Sequence, residues 1–457
     1  MSTRHGTLTR ALAIDALVHV LTRNMHADVA LDRLFAHQPE LRPLDRAFVF
    51  EIVYGSLRWL SKMDWVMGHM IDRPFASLDP RVLAALRVGT YQIFYMDRVP
   101  DRAAVSETVE AIKQVGAPNA ASFVNAILRR VSRKAEYFPK PDKVKQQAEY
   151  LAMHHAHPQW MIDRWLSNIP PERLDHMLSG NNTPPKNSLR VLARNPVPGG
   201  DDLATFLLRE HGIASHWRPL KGALQVESLP PFETCEAFKA GCYIVQDEAA
   251  QLCASIVAPR PTDTLLDACS APGGKAIHMW DAGVEANQIT LCDFSQKRIA
   301  LMQKNLDRVK LHGATLVHGD AGSALSGKSF SKVVLDAPCS AMGVIRRHPE
   351  IKWLRSLADV ENCAKEQRRL LVSCASLVEP HGELVYIVCT QEVEETSAVS
   401  DDFLASHPEF EIASLDGRIH DYYRKYLTRR NEVLVLPGNG DDLDGFYAVI
   451  FRKRGTP

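Results

Sequence analysis

The chain has 457 residues, with 54 Lys and Arg against 54 Asp and Glu, nine cysteines and 46% hydrophobic residues. That length predicts about three domains, and the apolar content supplies large cores, which excludes collagen-like, disordered and small disulfide-scaffold classes. Zero net charge gives no global attraction to nucleic acid or an anionic membrane, so any polyanion must be gripped by local basic patches.

The apolar stretch ALAIDALVHVL is interrupted by Asp15 and His19 and has no small-residue cleavage site, so no export signal is expected. No run of eighteen apolar residues occurs, so a membrane span is not expected either, and the reading is of a soluble, cytoplasmic monomer. From residue 7 to about 135 the apolar period is helical: Ile14, Leu17, Val18 and Leu21 recur on one face, with similar spacing in 44–60, 81–96, 103–115 and 120–133. Residues 1–140 are therefore predicted to form an all-helical domain. They hold 19 basic and 14 acidic side chains, against 35 and 40 in the remainder, and end in Arg129, Arg130, Arg133 and Lys134. Such a run is usually a solvated helix end that suits the negative C-terminal dipole, and RNA contact is the competing reading.

A polar linker is predicted at 139–150 and a loop at 179–187. Residues 141–240 read as linker helices and a small α+β subdomain, with strands at LRVLA and ALQVES around a helix at DDLATFLLREHG. From 241 to 457 the apolar runs TLLDA, ITLCD, ATLVHGD, KVVLDAP and ELVYIVC alternate with helical stretches, which predicts a doubly wound, Rossmann-like α/β sheet.

Ligands bind such sheets outside the carboxyl ends of the strands. The first strand ends in LLDACSAPGGK, where Gly273 and Gly274 allow close backbone approach. Asp293 ends the next strand, 20 residues past Gly273, where a carboxylate accepts from ribose hydroxyls. Asp320 and Asp336 end the third and fourth. Any one of these is often only a helix N-cap; their succession over consecutive strands points to a nucleoside. The glycine loop is neither G-x-G-x-x-G nor a Walker motif, which favours an adenosyl ligand without phosphates.

All nine cysteines lie between 235 and 389, an odd number with no C-x-x-C pair, which argues against a disulfide framework and a zinc site. Cys235, Cys242, Cys253, Cys292, Cys363 and Cys374 read as packing. Cys339 and Cys389 differ because they follow strand ends and face the ligand crevice. A thiolate adding at carbon 6 of a pyrimidine makes carbon 5 nucleophilic toward a sulfonium methyl donor, and a second group must then remove the carbon 5 proton. Asp336, three residues before Cys339, is the candidate acid at the ring nitrogen. Spacing alone does not say which cysteine attacks.

The strings GCYIVQDEAAQL (241–252), LLDACSAPGGK (265–275), VVLDAPCSAMGVIRRHPEIKW (333–353), ELVYIVCTQEVEET (383–396) and DGFYAVIFRK (444–453) resemble the Sun family of RNA cytosine-5 methyltransferases. VYGSLRW (53–59), LRVGTYQIFYMDRVPDRAAVSETVE (86–110) and FVNAILRRV (123–131) resemble the NusB-like RNA-binding domain. The fusion is similar to bacterial methyltransferases of 16S ribosomal RNA. The resemblance implies S-adenosylmethionine held by Cys269, Ser270, Ala271, Pro272, Gly273, Gly274 and Lys275, with Asp293 at the ribose, Asp320 near the adenine, and Asp336. It further implies Cys389 as nucleophile and Cys339 as the residue assisting release. The sequence departs from the family pattern at Val388, Thr390, Ser270, Ala276 and Leu192.

RNA grip is expected from Arg346, Arg347, His348 and Lys352 after the Pro-Cys loop, from the basic helix end, and from Arg190 and Arg194. His154, His155 and His157 sit in a His-Pro-x-Trp context and are not expected to hold a metal. The competing readings are transfer RNA or DNA cytosine as substrate, and a non-catalytic RNA-binding assembly factor for the small subunit.

Overall fold

The computed structural model describes residues 3–134, 138–438 and 440–455. The chain forms two compact units, Met1–Pro184 with Ile345–Arg355, and Pro185–Val344 with Ser356–Pro457.

The first unit is helical. Helices Thr3–Arg23, Pro43–Arg58, Pro80–Tyr95, Asp101–Gln114 and Ala121–Lys134 follow the apolar periodicity. The short helices Ala27–Ala36 and Leu60–Gly68 add to them, and Gln147–His154, Gln159–Asn168 and Pro171–Asn182 complete the unit. Ile14, Leu17, Val53, Leu86 and Leu128 are fully buried in its core, whereas Val18 and Leu21 lie at the edge of the stripe and are half-buried. Pro80 opens its helix in the first position, where no backbone N–H is needed, and Asp79 caps it by accepting from Arg81 N–H.

Into this unit comes the segment 345–355, more than 150 residues further along the chain. Lys352 Nζ donates to Arg58 O at 2.6 Å, Ala156 O at 2.8 Å and Asn182 Oδ1 at 3.1 Å, which uses all three ammonium donors. Arg58 donates to Arg346 O, Arg346 to Thr183 O, and Trp353 Nε1 to Leu57 O. Arg346 and Lys352 are only 2% and 1% exposed. The expectation that they grip phosphates is therefore corrected: their charge is spent on buried carbonyl and amide oxygens. Glu350 is also buried, accepting from Ala27 N–H and facing His26 Nδ1 at 3.3 Å and His348 Nδ1 at 3.4 Å, with the His348 side chain still partly exposed.

At the basic helix end Arg129, Arg130 and Arg133 are exposed, Arg130 donating to Met70 O and Arg129 to Asn125 Oδ1, and the Lys134 side chain lies outside the described residues. His155 pairs with Asp175 and His157 is buried with Nδ1 on His155 O. Among the described residues the His and carboxylate atoms that converge are those of His26, His348 and Glu350.

The second unit begins with a four-stranded antiparallel sheet in the order β2-β3-β1-β4, made of β1 (Asn187–Val191), β2 (Ser215–Trp217), β3 (Ala223–Val226) and β4 (Tyr243–Val245). Helix Leu203–His211 runs beside it from an Asp202 cap to Gly212, whose positive φ closes the end. Arg190 pairs with Asp281 at 3.0 Å and is buried. Arg194 lies over the Trp280 ring and its backbone N–H reaches Asp281. The expected RNA role of these two arginines is corrected to joining the small sheet to helix Gly274–Asp281. Leu192 is a core residue, 2% exposed.

The larger sheet holds β5 (Leu265–Asp267), β6 (Ile289–Asp293), β7 (Thr315–His318), β8 (Phe330–Asp336), β9 (Val378–Val388), β10 (Phe410–Ile412), β11 (Val433–Val435) and β12 (Phe446–Lys453). Its order is β10-β12-β9-β8-β5-β6-β7, with β11 on β12. Strands β5 to β9 are parallel, and β10 to β12 add antiparallel pairs at one side. The chain winds from β5 toward β7, then returns to β8 and β9 on the other side of β5. This places the topological switch between β5 and β8, where the carboxyl ends diverge into a crevice. At the opposite end Glu383 accepts from Lys332 at 2.5 Å, Arg418 at 2.6 Å and Arg452 at 2.9 Å, a buried charge cluster that ties β8, β9 and β12 together.

Candidate active site

At the switch lies a cavity of about 600 Å³ whose walls include Cys269, Asp293, Phe294, Asp320, Asp336, Cys339, Glu366, Arg369 and Cys389. Of the residues expected to bind the cofactor, Cys269, Asp293, Asp320 and Asp336 are on the wall, together with both expected catalytic cysteines. Ser270 to Lys275 form the turn behind Cys269 and the start of the next helix. Gly273 caps that helix at φ +99°, a conformation glycine adopts freely.

Each carboxylate has a distinct environment. Asp293 accepts from the N–H groups of Ala271 and Ser295, so it fixes the glycine turn against β6. Asp320 caps helix Ala321–Ala324 through Gly322 N–H and Ser323 N–H and takes Arg369 at 2.8 Å. Burial pushes its carboxyl up, but the Arg369 hydrogen bond outweighs this and holds it below the usual range. Asp336 meets Lys275 Nζ at 2.5 Å; burial disfavours the ammonium, yet the Asp336 charge more than compensates and raises it. Asp267, at the end of β5, is fully buried with neither oxygen hydrogen-bonded, and the nearby Ser270 hydroxyl stops short of bonding geometry. Burial, reinforced by the Asp336 charge, pushes the Asp267 carboxyl up to about 7.

These features suit an adenosyl sulfonium. The cavity offers three aspartates for hydroxyls, amine and positive charge, with Glu366 beside them, and Phe294, 80% exposed, is available for a flat ring. Its arginines are already engaged, Arg369 with Asp320 and Glu366 and Arg298 with Ala271 O, leaving no cationic cradle for phosphates.

The two thiols stand at adjacent strand ends. Cys339 follows β8 and Cys389 follows β9, with their sulfur atoms 3.2 Å apart and not bonded. Gly343 fixes this approach: its N–H donates to Cys389 O, its carbonyl accepts from Gly445 N–H, and a Cβ on it would fall 2.1 Å from Gly445 O. Of the thiols expected to be packing, Cys235, Cys242, Cys253, Cys292 and Cys374 are buried, whereas Cys363 is partly exposed.

Sequence reasoning missed Glu395. It is buried, and accepts from Ser340 N–H at 2.8 Å, Ser340 O–H, Gln367 Nε2 at 2.9 Å and Thr390 O–H at 3.4 Å. Three glutamates occur within 392–395, and a short 3-10 turn at Val393–Glu395, which periodicity does not forecast, turns Glu395 inward.

The model of the 16S rRNA methyltransferase RsmB/F family matches residues 254–452, the NusB family model matches 7–133, and a ferredoxin-like domain of RsmF/B-like methyltransferases matches 157–228. The probable ribosomal RNA small subunit methyltransferase B of Bacillus subtilis (strain 168) is 31% identical, over 98% of this chain and 99% of its own length. Ribosomal RNA small subunit methyltransferase B of Proteus mirabilis is 32% identical, over 97% and 98%. In fold, the crystal structure of PH0851 matches with a TM-score of 0.80 at 23% identity, over 97% of this chain and 99% of that one. NSun6 from Pyrococcus horikoshii, crystallised with SFG, matches with a TM-score of 0.56 at 18% identity, over 64% and 97%. With its NusB-type helices, ferredoxin-like sheet and cofactor crevice, the chain is an S-adenosylmethionine-dependent methyltransferase and belongs to the ribosomal RNA small subunit methyltransferase B family.

Proposed function

We propose that the protein methylates carbon 5 of a cytosine in 16S ribosomal RNA through a covalent cysteine–cytosine adduct. The observation that carries this reading is the pair of unbonded thiols, 3.2 Å apart at neighbouring strand ends on the wall of the adenosyl cavity. Cys389, as thiolate, adds to carbon 6 of the flipped-out base and makes carbon 5 electron-rich. S-adenosylmethionine, when bound, supplies the methyl group. Asp336 meets the ring nitrogen and amino group and relays a proton from the Lys275 ammonium behind it to the ring nitrogen, which neutralises the negative charge that addition places on the ring. Once Cys389 is bonded to carbon 6, Cys339 gives its thiol proton to solvent; as thiolate it then takes the carbon 5 proton, and the Cys389 thiolate is expelled. Asp293 and Asp320 serve the ribose and adenine ends of the cofactor, with residues 269–275 as its backbone cradle. Exposed Arg129 and Arg133 contribute phosphate contacts, and the RNA is met in the cytoplasm, naked or in an assembling subunit.

The test combines two measurements. Bisulfite sequencing of ribosomal and transfer RNA, from cells with and without the protein, should lose one methylcytosine in small-subunit RNA; a loss confined to transfer RNA would move the substrate, and no loss would leave only an RNA-binding role. Cys389→Ala should abolish methyl transfer and RNA capture, whereas Cys339→Ala should accumulate a denaturation-resistant adduct. The reverse pattern would exchange the two roles.

A further inference from the structure

Two thiols in contact share one question: which of them carries the negative charge. Strand geometry leaves it open, since Cys339 and Cys389 both follow strand ends and both line the cavity. The groups behind them are not symmetric. Glu395 accepts from both the N–H and O–H of Ser340, the residue after Cys339. Gln367 Nε2 bridges Glu395 to Pro338 O at 3.0 Å, so the 338–340 loop is bound to this carboxylate from both sides of Cys339. Toward Cys389 the contact is weaker, a 3.4 Å bond from Thr390 O–H. All four partners donate, which is the surrounding an ionised carboxylate requires.

We propose that Glu395 decides which thiol is the nucleophile, its negative charge on the Cys339 side keeping the proton of the pair on Cys339 and leaving the thiolate at Cys389. The inference rests on the covalent reading above and adds a positioning residue that touches neither base nor cofactor. The Cys339 thiol is raised well above its ordinary value by its hydrogen bond with Cys389, by burial, and by the charges of Cys389 and Glu395. The other groups facing the pair do not reverse this bias. Asp336 is neutralised by Lys275, Arg369 is taken by Glu366 and Asp320, and the buried Tyr386 hydroxyl donates to Glu395 O. Burial and the Glu392 charge push the Glu395 carboxyl up, while its hydrogen bonds from Ser340 and Gln367 pull it down. The outcome matches the chemistry, because addition needs a thiolate while the partner must exchange a proton.

The test is alkylation of the wild-type protein with iodoacetamide, without RNA, across neutral to alkaline pH, with each cysteine read by peptide mass spectrometry. Cys389 should be modified first; Cys339 reacting first at neutral pH would overturn the proposal outright. Glu395→Gln removes the charge and keeps the shape, and should raise Cys339 labelling several-fold relative to Cys389, while Glu395→Asp should restore the wild-type order. An unchanged order in a folded Glu395→Gln protein would also overturn it. In turnover, Glu395→Gln should lower kcat several-fold with KM for S-adenosylmethionine unchanged. Because labelling uses no RNA, a failed adduct experiment with the predicted labelling order would count against the covalent function alone, and the converse against Glu395 alone.

Discussion

Buried charge serves opposite ends in the two units. In the helical unit Lys352 has three oxygen acceptors for three donors, and Glu350 has one oxygen met by Ala27 N–H and two imidazoles while its Oε2 has no hydrogen-bond partner. In the sheet unit Asp267 is buried beside the cofactor crevice with no hydrogen-bond partner on either oxygen. A buried charge met by hydrogen bonds stays ionised and ties its neighbours together, whereas a buried carboxyl with none is pushed toward its neutral form.

The sharpest way to break this contrast is Lys352→Met. It should cost about 3–5 kcal/mol in denaturant unfolding, as for other breaks in buried charge networks, while the folded fraction keeps its kcat; intact stability with lost activity would place Lys352 among the chemical groups. Next is Asp267→Asn. The folded carboxyl sits at about 7, above its unfolded value, so its contribution is present at low pH and is lost as pH rises from about 4 to 7. The substitution should therefore stabilise the sheet unit above pH 7 by up to about 4 kcal/mol and change little near pH 4. Thermal melts at the two pH values would read this.

Glu350 has the opposite sign. Burial pushes its carboxyl up, but the His26 and His348 hydrogen bonds overcome that and hold it at about 2. Its contribution is present above the unfolded carboxylate range and is lost as pH falls through about 4.5 to 2, worth about 3 kcal/mol. Acid titration followed by the helical far-ultraviolet signal should show the loss, and Glu350→Gln should flatten it. The smallest effect is expected for Arg133→Gln, which should weaken RNA binding a few-fold and reduce the salt slope by about one. Unchanged salt dependence would remove Arg133 from the RNA contact.

These contrasts also show what sequence conveys. The five parallel strands and their terminal Asp and Cys residues were legible because short apolar runs ending in chemistry-bearing residues follow from the sheet itself. Arg346 and Lys352 were misread because a basic run looks the same whether solvated or buried, and their acceptors at Arg58, Ala156, Asn182 and Thr183 lie far away in the chain. Asp267 stood in the quoted glycine-loop string, yet nothing in local spacing says that Ser270 fails to reach it. The Glu395 side chain needed the turn at 393–395 to be seen before it could be separated from Glu392 and Glu394.

The excursion at 345–355 also bears on modularity. The chain crosses between the units three times, at 184/185, 344/345 and 355/356, the second crossing only six residues after Cys339. A truncated chain beginning at Pro185 would keep every residue of the cavity yet carry an eleven-residue loop whose Arg346, Glu350 and Lys352 had lost their enclosing groups. The helical unit is therefore discontinuous in the chain, and exchanging it for that of a relative requires moving both of its pieces together.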